Sequence, residues 1–379
     1  MAQKSPKNLQ ELIPMAMENN AGLAASTLEV EKSDALVATA YNFDKTQVYY
    51  QFDENNLTLS DTPLRVFGIQ QDFRFPTVYF SEKRLNDAKL NLSENSYEIQ
   101  KKGLERRLTT AYYNFQVARE KERVYKRLDS MYANFATVAA RRFELGETNY
   151  LEKITAASKQ KQVHIAYGAS QKEVDMTYAD ILRTIQTKDS LVIADEPMLK
   201  VALTDMVIGN SPEIDYYQNQ IAVTQAEKRF EKQQLLPDIG VEYFQGTTAN
   251  TNERLSGYQL GLKIPLLFVG TSSRIKAARI SEDIAITQSK EYAVQLNAKL
   301  QNLQTELSQL QATLDYYENE GARLSEEILK TAQGSFRNGE IDFYQYIQSL
   351  ESAYEITLDY LDNLKLYNQT AIAINFLTL

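Results

Sequence analysis

The chain has no cysteine and a single histidine, His164. Disulfides and thiolate metal ligands are therefore excluded, and so are sites built from several histidines. Glycine and proline are scarce, 14 and 8 of 379 residues, which excludes a turn-rich all-β chain. No apolar run approaches the roughly 18 residues that a membrane-spanning helix needs. Met1 to Gln10 is polar and lacks the apolar stretch of a signal peptide. The sequence therefore reads as cytosolic, or as a mature or excised segment. Net charge is −9 without a basic stripe. Nucleic acid is an unsuitable partner for such a chain, because phosphate binding needs clustered Lys and Arg.

What is abundant is helix-forming. Glu, Gln, Leu, Ala, Lys and Asn dominate, and chains of this kind form long helices. The sequence is also written twice. Arg74-Phe75-Pro76 opens one long helical stretch and Lys263-Ile264-Pro265 opens another, 189 residues later. Phe143-Glu144-Leu145-Gly146-Glu147 matches Phe336-Arg337-Asn338-Gly339-Glu340 at an offset of 193 residues. So long a period means a duplicated half and not a solenoid.

The first repeat is expected over 1–205: a helix from Asn8 to about Ala40, a hairpin at about 46–75, then long helices at about 79–190. The second is expected over 206–379: a helix from Ser211 to about Leu236, a hairpin at about 239–264, then long helices at about 270–379. Leu296, Leu300, Leu303, Leu307, Leu310, Leu314 and Tyr317 form an a/d seam. Leu104, Leu108, Ala111, Phe115 and Ala118 form a looser copy. A helix from Ser81 to Leu145 would be roughly 100 Å long, too long for a globular domain to enclose, so it must lie against other long helices. The fold class expected is mainly α with a small β part: duplicated antiparallel coiled-coil helices and four amphipathic strands.

The strands alternate. Val48, Tyr50 and Phe52 share one face, as do Val241 with Tyr243, and Tyr258 with Leu260 and Leu262. Such alternation suits a half-buried strand of a soluble sheet. On pattern alone the soluble sheet is the commoner case, but the alternation also suits a transmembrane barrel with these eight side chains toward lipid. Two separated hairpins have no core of their own, and nothing else in the chain is apolar enough to cover them. A barrel assembled from several chains removes the open edges.

At these residues the sequence resembles the TolC-like outer-membrane efflux factor family. The carriers are the twice-written order of helix, hairpin, long helix, F-x-x-G and helix, the stretch Arg142 to Leu151, and the stretch Ser335 to Gln348 continuing through Glu351-Ser352-Ala353-Tyr354 to Leu379. The resemblance implies a homotrimer with a twelve-stranded barrel in outer-membrane lipid and an α-barrel tunnel in the periplasm of a Gram-negative cell. It implies a passive conduit that passes substrates from an inner-membrane resistance-nodulation-division pump, met directly or through a periplasmic adaptor. Asn42 to Asn56 and Gln71 to Ser81 are similar to the heavy-metal cation efflux branch of Bacteroidetes-type bacteria, where such a segment can be fused to the pump itself.

The resemblance places Phe143, Gly146, Glu147, Phe336, Gly339 and Glu340 at the periplasmic tip, as turns that dock an adaptor or pump. The glycines would supply the positive φ that ends a helix, the phenylalanines would pack at the turn, and the two glutamates would start the next helix. Some family members close the tip with an acidic ring and a Tyr/Arg latch. At the matching positions this chain has Gln345, Gln348, Phe336 and Ile341. A gate is expected among Glu152, Asp342, Tyr344, Gln345 and Gln348, held by aromatic packing and neutral hydrogen bonds.

Catalysis has little support, and no cofactor or resident metal is expected. The carboxylates sit at helix-surface spacing beside Lys and Arg, as in Glu120-Lys121-Glu122-Arg123, and no Gly-rich phosphate loop occurs. Two other classes remain open on sequence: a coiled-coil scaffold outside any membrane, and a periplasmic adaptor. An adaptor would need a lipoyl-like β-domain, which the duplication does not supply.

Overall fold

The computed structural model describes residues 5–57, 61, 63–204, 211–248 and 251–377. Helix α1 (Leu9–Asn19) opens on a capping box: the Glu11 amide donates to Asn8 Oδ1 and the Asn8 amide to Glu11 Oε2, each at 3.0 Å. Asn20 then breaks the chain direction with extended backbone (φ −75°, ψ 110°). Its side chain accepts from the Leu23 amide at 3.0 Å and so starts α2 (Ala21–Val37). The single helix expected from Asn8 to about Ala40 is thus two, because the Asn20 side chain serves the helix that follows it.

Strands β1 (Gln47–Leu57), β2 (Pro63–Phe73), β3 (Asp238–Thr248) and β4 (Thr251–Lys263) form one antiparallel sheet in the order β1-β2-β3-β4. The two hairpins expected from sequence are therefore joined. Phe73 lies opposite Ile239, and the pairing runs unbroken to Val66 opposite Gly246. Two glycines admit aromatic rings over this sheet. A Cβ on Gly68 would collide with the Tyr49 ring, and one on Gly257 would come within 2.6 Å of the Phe244 ring.

The remaining elements are α3 (Pro76–Glu144), α4 (Tyr150–Ile185), α5 (Pro212–Gln233), α6 (Val269–Tyr316), a π-helical turn (Tyr317–Gly321), α7 (Ala322–Asn338) and α8 (Phe343–Asn375). Pro76 and Pro212 stand at first helical positions, where a missing N–H costs nothing. No described helix is long and apolar enough to cross a membrane.

The chain divides into two compact units. The helical unit holds residues 1–24, 99–211 and 295–379; the sheet unit holds 25–98 and 212–294. Each takes segments from both halves of the sequence.

The helical unit has two cores. In one, Leu128, Tyr132 and Phe135 of α3 meet Ala156 of α4, Ala332 of α7 and Phe343, Tyr346, Ile347 and Leu350 of α8. In the other, the expected leucine seam of α6 (Leu300, Leu307, Leu310, Leu314) packs on Leu364, Tyr367, Ala371 and Ile374 of α8, so the seam has a partner in its own chain. The looser copy, Leu104 to Ala118, is buried too. In the sheet unit, Tyr217 of α5 stacks on Tyr292 of α6 with ring centroids 4.5 Å apart, and Arg274 Nε donates to Glu231 at 3.0 Å.

Candidate functional site

Directly paired residues of a sheet point to the same side, so the register assigns the faces. Val48 pairs with Ile69 and Tyr50 with Phe67. Ile69 pairs with Tyr243. Tyr243 pairs with Tyr258, Val241 with Leu260 and Ile239 with Leu262. All eight strand positions named from sequence therefore share one face. Ile69, Phe67 and Ile239 extend it. That face is bare: Leu260 and Leu262 are 75% and 65% exposed. The opposite face is polar. Tyr49 donates to Glu242, and Lys263 pairs with Asp72. Among the described residues, strands β1 and β4 are each paired on one side only.

The two F-x-x-G-E turns are alike in detail. At the end of α3, Gly146 takes φ +75°. Its amide donates to the Phe143 carbonyl at 3.0 Å and the Glu147 amide to the Arg142 carbonyl at 2.8 Å. At the end of α7, Gly339 takes φ +73°, with Gly339 N–H to the Phe336 carbonyl at 3.2 Å and Glu340 N–H to the Ser335 carbonyl at 2.8 Å. Both are Schellman closures, in which a left-handed residue satisfies carbonyls that the helix leaves open. A Cβ at either glycine meets no atom within 4 Å. Gly146→Ala and Gly339→Ala should therefore cost only the left-handed backbone penalty, about 1 kcal/mol each. Denaturant midpoints measure it, and a cost near zero would contradict the turn geometry.

Phe336 stacks on Tyr346 at 4.7 Å and lies 5.7 Å from Phe135, while Phe143 meets Tyr150 at 5.8 Å and carries Lys153 over its face. The two glutamates are placed differently from the sequence expectation. The next helices begin later, with Asn149 and Asp342 as N-caps. Glu340 instead accepts from the Ser335 hydroxyl at 2.8 Å and the Asn338 amide, which hold its carboxyl below the usual range. Glu147 lies 3.8 Å from Arg142. Both acids fasten the end of the helix they follow.

The gate candidates do not form one cluster. Glu152 is turned into its own turn, taking the Thr148 hydroxyl and Arg142 at 3.5 Å. Asp342 and Gln345 are a reciprocal capping box. Tyr344 and Gln348 lie one turn apart on α8 and are exposed. Aromatic packing is present nearby, but it is the buried set Phe135, Phe336, Phe343 and Tyr346 inside the helical unit. His164 lies 3.1 Å from Asp129. Among the described residues no group of three potential ligands is placed to hold a metal ion.

Sequence reasoning missed a strap. Residues 186–204 carry no helix, yet side chains hold them along the helical unit. Tyr178 Oη accepts from the Leu191 amide at 2.8 Å and donates to its carbonyl at 2.9 Å. Residues Lys7 and Ile193 form a parallel bridge. Gln116 Nε2 donates to the Ala194 carbonyl at 2.9 Å, and Arg123 binds Asp195 with both carboxylate oxygens at 2.5 Å. Further along, Asn368 and Asn375 of α8 each clasp the strap backbone twice. Asn368 accepts from Val201 N–H at 2.8 Å and donates to the Leu199 carbonyl at 3.0 Å. Asn375 accepts from Thr204 N–H at 3.0 Å and donates to the Ala202 carbonyl at 2.9 Å. The available signal was two Asn one heptad apart on the apolar face of α8.

The hydrogen bond from Arg123 lowers the Asp195 carboxyl below the usual range. A depressed carboxyl adds stability above the unfolded-state pKa and loses it as pH falls through the lower folded value. Strap protection should therefore hold at neutral pH and fade below about pH 4, read by hydrogen exchange at 193–196. An Asp195→Asn chain that showed the same acid fading would refute this assignment.

Compared with solved structures, the chain is similar to CusC, studied in structures that follow its folding and transmembrane channel formation. The TM-score is 0.82 at 14% identity, covering 99% of this chain and 92% of that one. A membrane protein from Pseudomonas aeruginosa gives 0.81 at 14% identity, with 98% and 93% covered. The CmeC outer membrane channel of Campylobacter jejuni gives 0.80 at 11% identity, with 98% and 85% covered. No protein-family model and no curated protein matches the chain. At such identities the likeness establishes the fold alone, one shared with CusC and with the CmeC outer membrane channel.

Proposed function

We propose that the protein is one protomer of a TolC-like outer-membrane efflux channel, a homotrimeric passive conduit with a periplasmic extension. The observation that carries this reading is the sheet: one apolar, solvent-bared face, one polar face, and two edges left unpaired. A soluble protein would aggregate through such a sheet. Three copies joined β4 to β1 would close twelve strands with the apolar face toward lipid and the polar face toward water. The shared fold with outer-membrane channels supports the same reading.

Within it, the turns at Phe143, Gly146, Glu147, Phe336, Gly339 and Glu340 are the surface offered to a periplasmic adaptor and an inner-membrane resistance-nodulation-division pump. The gate lies among Glu152, Asp342, Tyr344, Gln345 and Gln348. Tyr344 and Gln348, exposed and neutral, are its best-placed members. Heavy-metal cations are the proposed cargo. The support is the resemblance over Asn42 to Asn56 and Gln71 to Ser81. A conduit needs only weak contacts with its cargo, since strong binding would stall transit.

The test is the mass of the detergent-solubilised protein and its conductance in planar bilayers. A trimer that opens discrete ion-conducting levels is expected. A dimer soluble without detergent, giving no conductance, would instead favour the scaffold.

A further inference from the structure

The two passages from sheet to long helix differ. β2 ends at Phe73 and α3 begins at Pro76, whereas β4 ends at Lys263 and α6 begins only at Val269. The longer passage is apolar: Ile264-Pro265-Leu266-Leu267-Phe268-Val269. It is also bare, with Leu266 77%, Leu267 92% and Val269 79% exposed. A contiguous apolar patch of this kind marks something that covers it.

Two observations indicate the cover. The first is continuity: Ile264 prolongs the apolar row Tyr258, Leu260, Leu262, so the segment extends the sheet face assigned to lipid. Exposed aromatics stand at the same end of the sheet unit. Phe43 lies 5.7 Å from Phe73 of β2, and Tyr41 lies 6.5 Å from Phe80 of α3. Rings of this kind suit the boundary between headgroups and acyl chains. The second is charge. Arg84, Lys89, Arg229, Lys232, Lys276 and Arg279 are exposed on the sheet-proximal turns of α3, α5 and α6 and form no ion pair among the described residues. The unpaired acids on those turns are Glu227 and Asp283, with Glu31, Asp34, Asp44 and Asp238 on the adjoining end of α2, the link to β1 and the start of β3. In a chain of net charge −9 these cations, concentrated on α3, α5 and α6, suit anionic phospholipid headgroups.

We propose that residues 264–269 are an interfacial lipid anchor, inserted into the headgroup–acyl boundary of an anionic phospholipid bilayer at the helix end of the barrel. The proposal rests on the barrel reading above. The segment is too short to span and too apolar for water, which is the balance of an element that lies in the interface. One copy per protomer would fix the depth at which the sheet sits.

The chain contains no tryptophan, so a single one reports alone. Leu267→Trp and Phe268→Trp test the anchor at two positions, and Leu260→Trp tests the barrel. Full-length variants go into vesicles of phosphatidylcholine and phosphatidylglycerol whose acyl chains carry bromine either near the headgroup or near the chain end. The Leu267→Trp and Phe268→Trp variants should lose most of their emission to headgroup-proximal bromine and little to chain-end bromine, while the Leu260→Trp variant is quenched by lipid at a deeper level. If Leu260→Trp is quenched and both anchor variants are blue-shifted but unquenched, a neighbouring copy covers the segment and the anchor is wrong while the barrel stands. If no variant is quenched, the barrel reading fails, and the anchor with it.

Discussion

Leu260→Arg is expected to block stable insertion, whereas Gln259→Arg, one residue away, is expected to leave it intact. Leu260 belongs to the bare apolar face and Gln259 to the polar face beside Glu242. An arginine turned toward lipid costs about 2–4 kcal/mol at the bilayer midplane and less toward the interfaces. A trimer repeats that cost in every protomer. At position 259 the same guanidinium would face water and lie next to a carboxylate. The measurement is the fraction of protein recovered as trimer in vesicle membranes after alkaline wash. Equal loss from both variants would mean that the faces are misassigned. Equal tolerance would mean that neither face meets lipid.

Asn368→Leu should be the most damaging single change in the helical unit. The side chain is fully buried at 0% exposure, and both its amide atoms serve the strap backbone. Leucine has the same branched shape and number of heavy atoms and is somewhat bulkier, so the loss is not a cavity. It is the stranding of the Val201 N–H and the Leu199 carbonyl in an apolar site beside Leu364 and Tyr367. Each stranded group costs about 1–3 kcal/mol, so roughly 2–6 kcal/mol is at stake. Asn368→Asp should also be costly at neutral pH, since it keeps the acceptor for Val201 but loses the donor to Leu199 and buries a charge against that carbonyl. The readouts are the urea midpoint and the rate of proteolytic cleavage within 191–204. If cleavage there is unchanged in Asn368→Leu, the clasp does not hold the strap.

What was legible in the sequence was what repeats with a period. The alternation at 2.0 residues placed all eight apolar strand residues on one face, because pairing preserves that period across a register. The leucine seam from Leu296 to Leu314 was legible for the same reason at 3.5 residues. The turns at Gly146 and Gly339 were legible because only glycine takes that backbone cheaply. The pairing of β2 with β3 was not: it joins strands some 170 residues apart in the chain, and no local pattern encodes it. The break at Asn20 was hidden because the helical period on both sides is compatible with one helix, and only the side-chain hydrogen bond to Leu23 decides it. The strap was invisible because its order is borrowed. Its backbone is held by side chains of α3, α4 and α8 and has no period of its own. The gate candidates were the least legible. Glu152 and Asp342 look like charged gate residues, but their hydrogen bonds are spent on caps.

The glycines beneath Tyr49 and Phe244 have a consequence for the bore. Both lie on the polar side of the sheet, opposite the apolar face, where in the proposed barrel a ring standing upright would project into the passage. Because Gly68 and Gly257 offer no Cβ, each ring lies flat on the strand beside it, and the Tyr49 hydroxyl is tethered sideways to Glu242. In a closed ring of three protomers this would remove six aromatic obstructions from the cross-section without removing the aromatic residues that stiffen the wall. In the proposed barrel the clearance would then depend on two missing methyl groups per protomer.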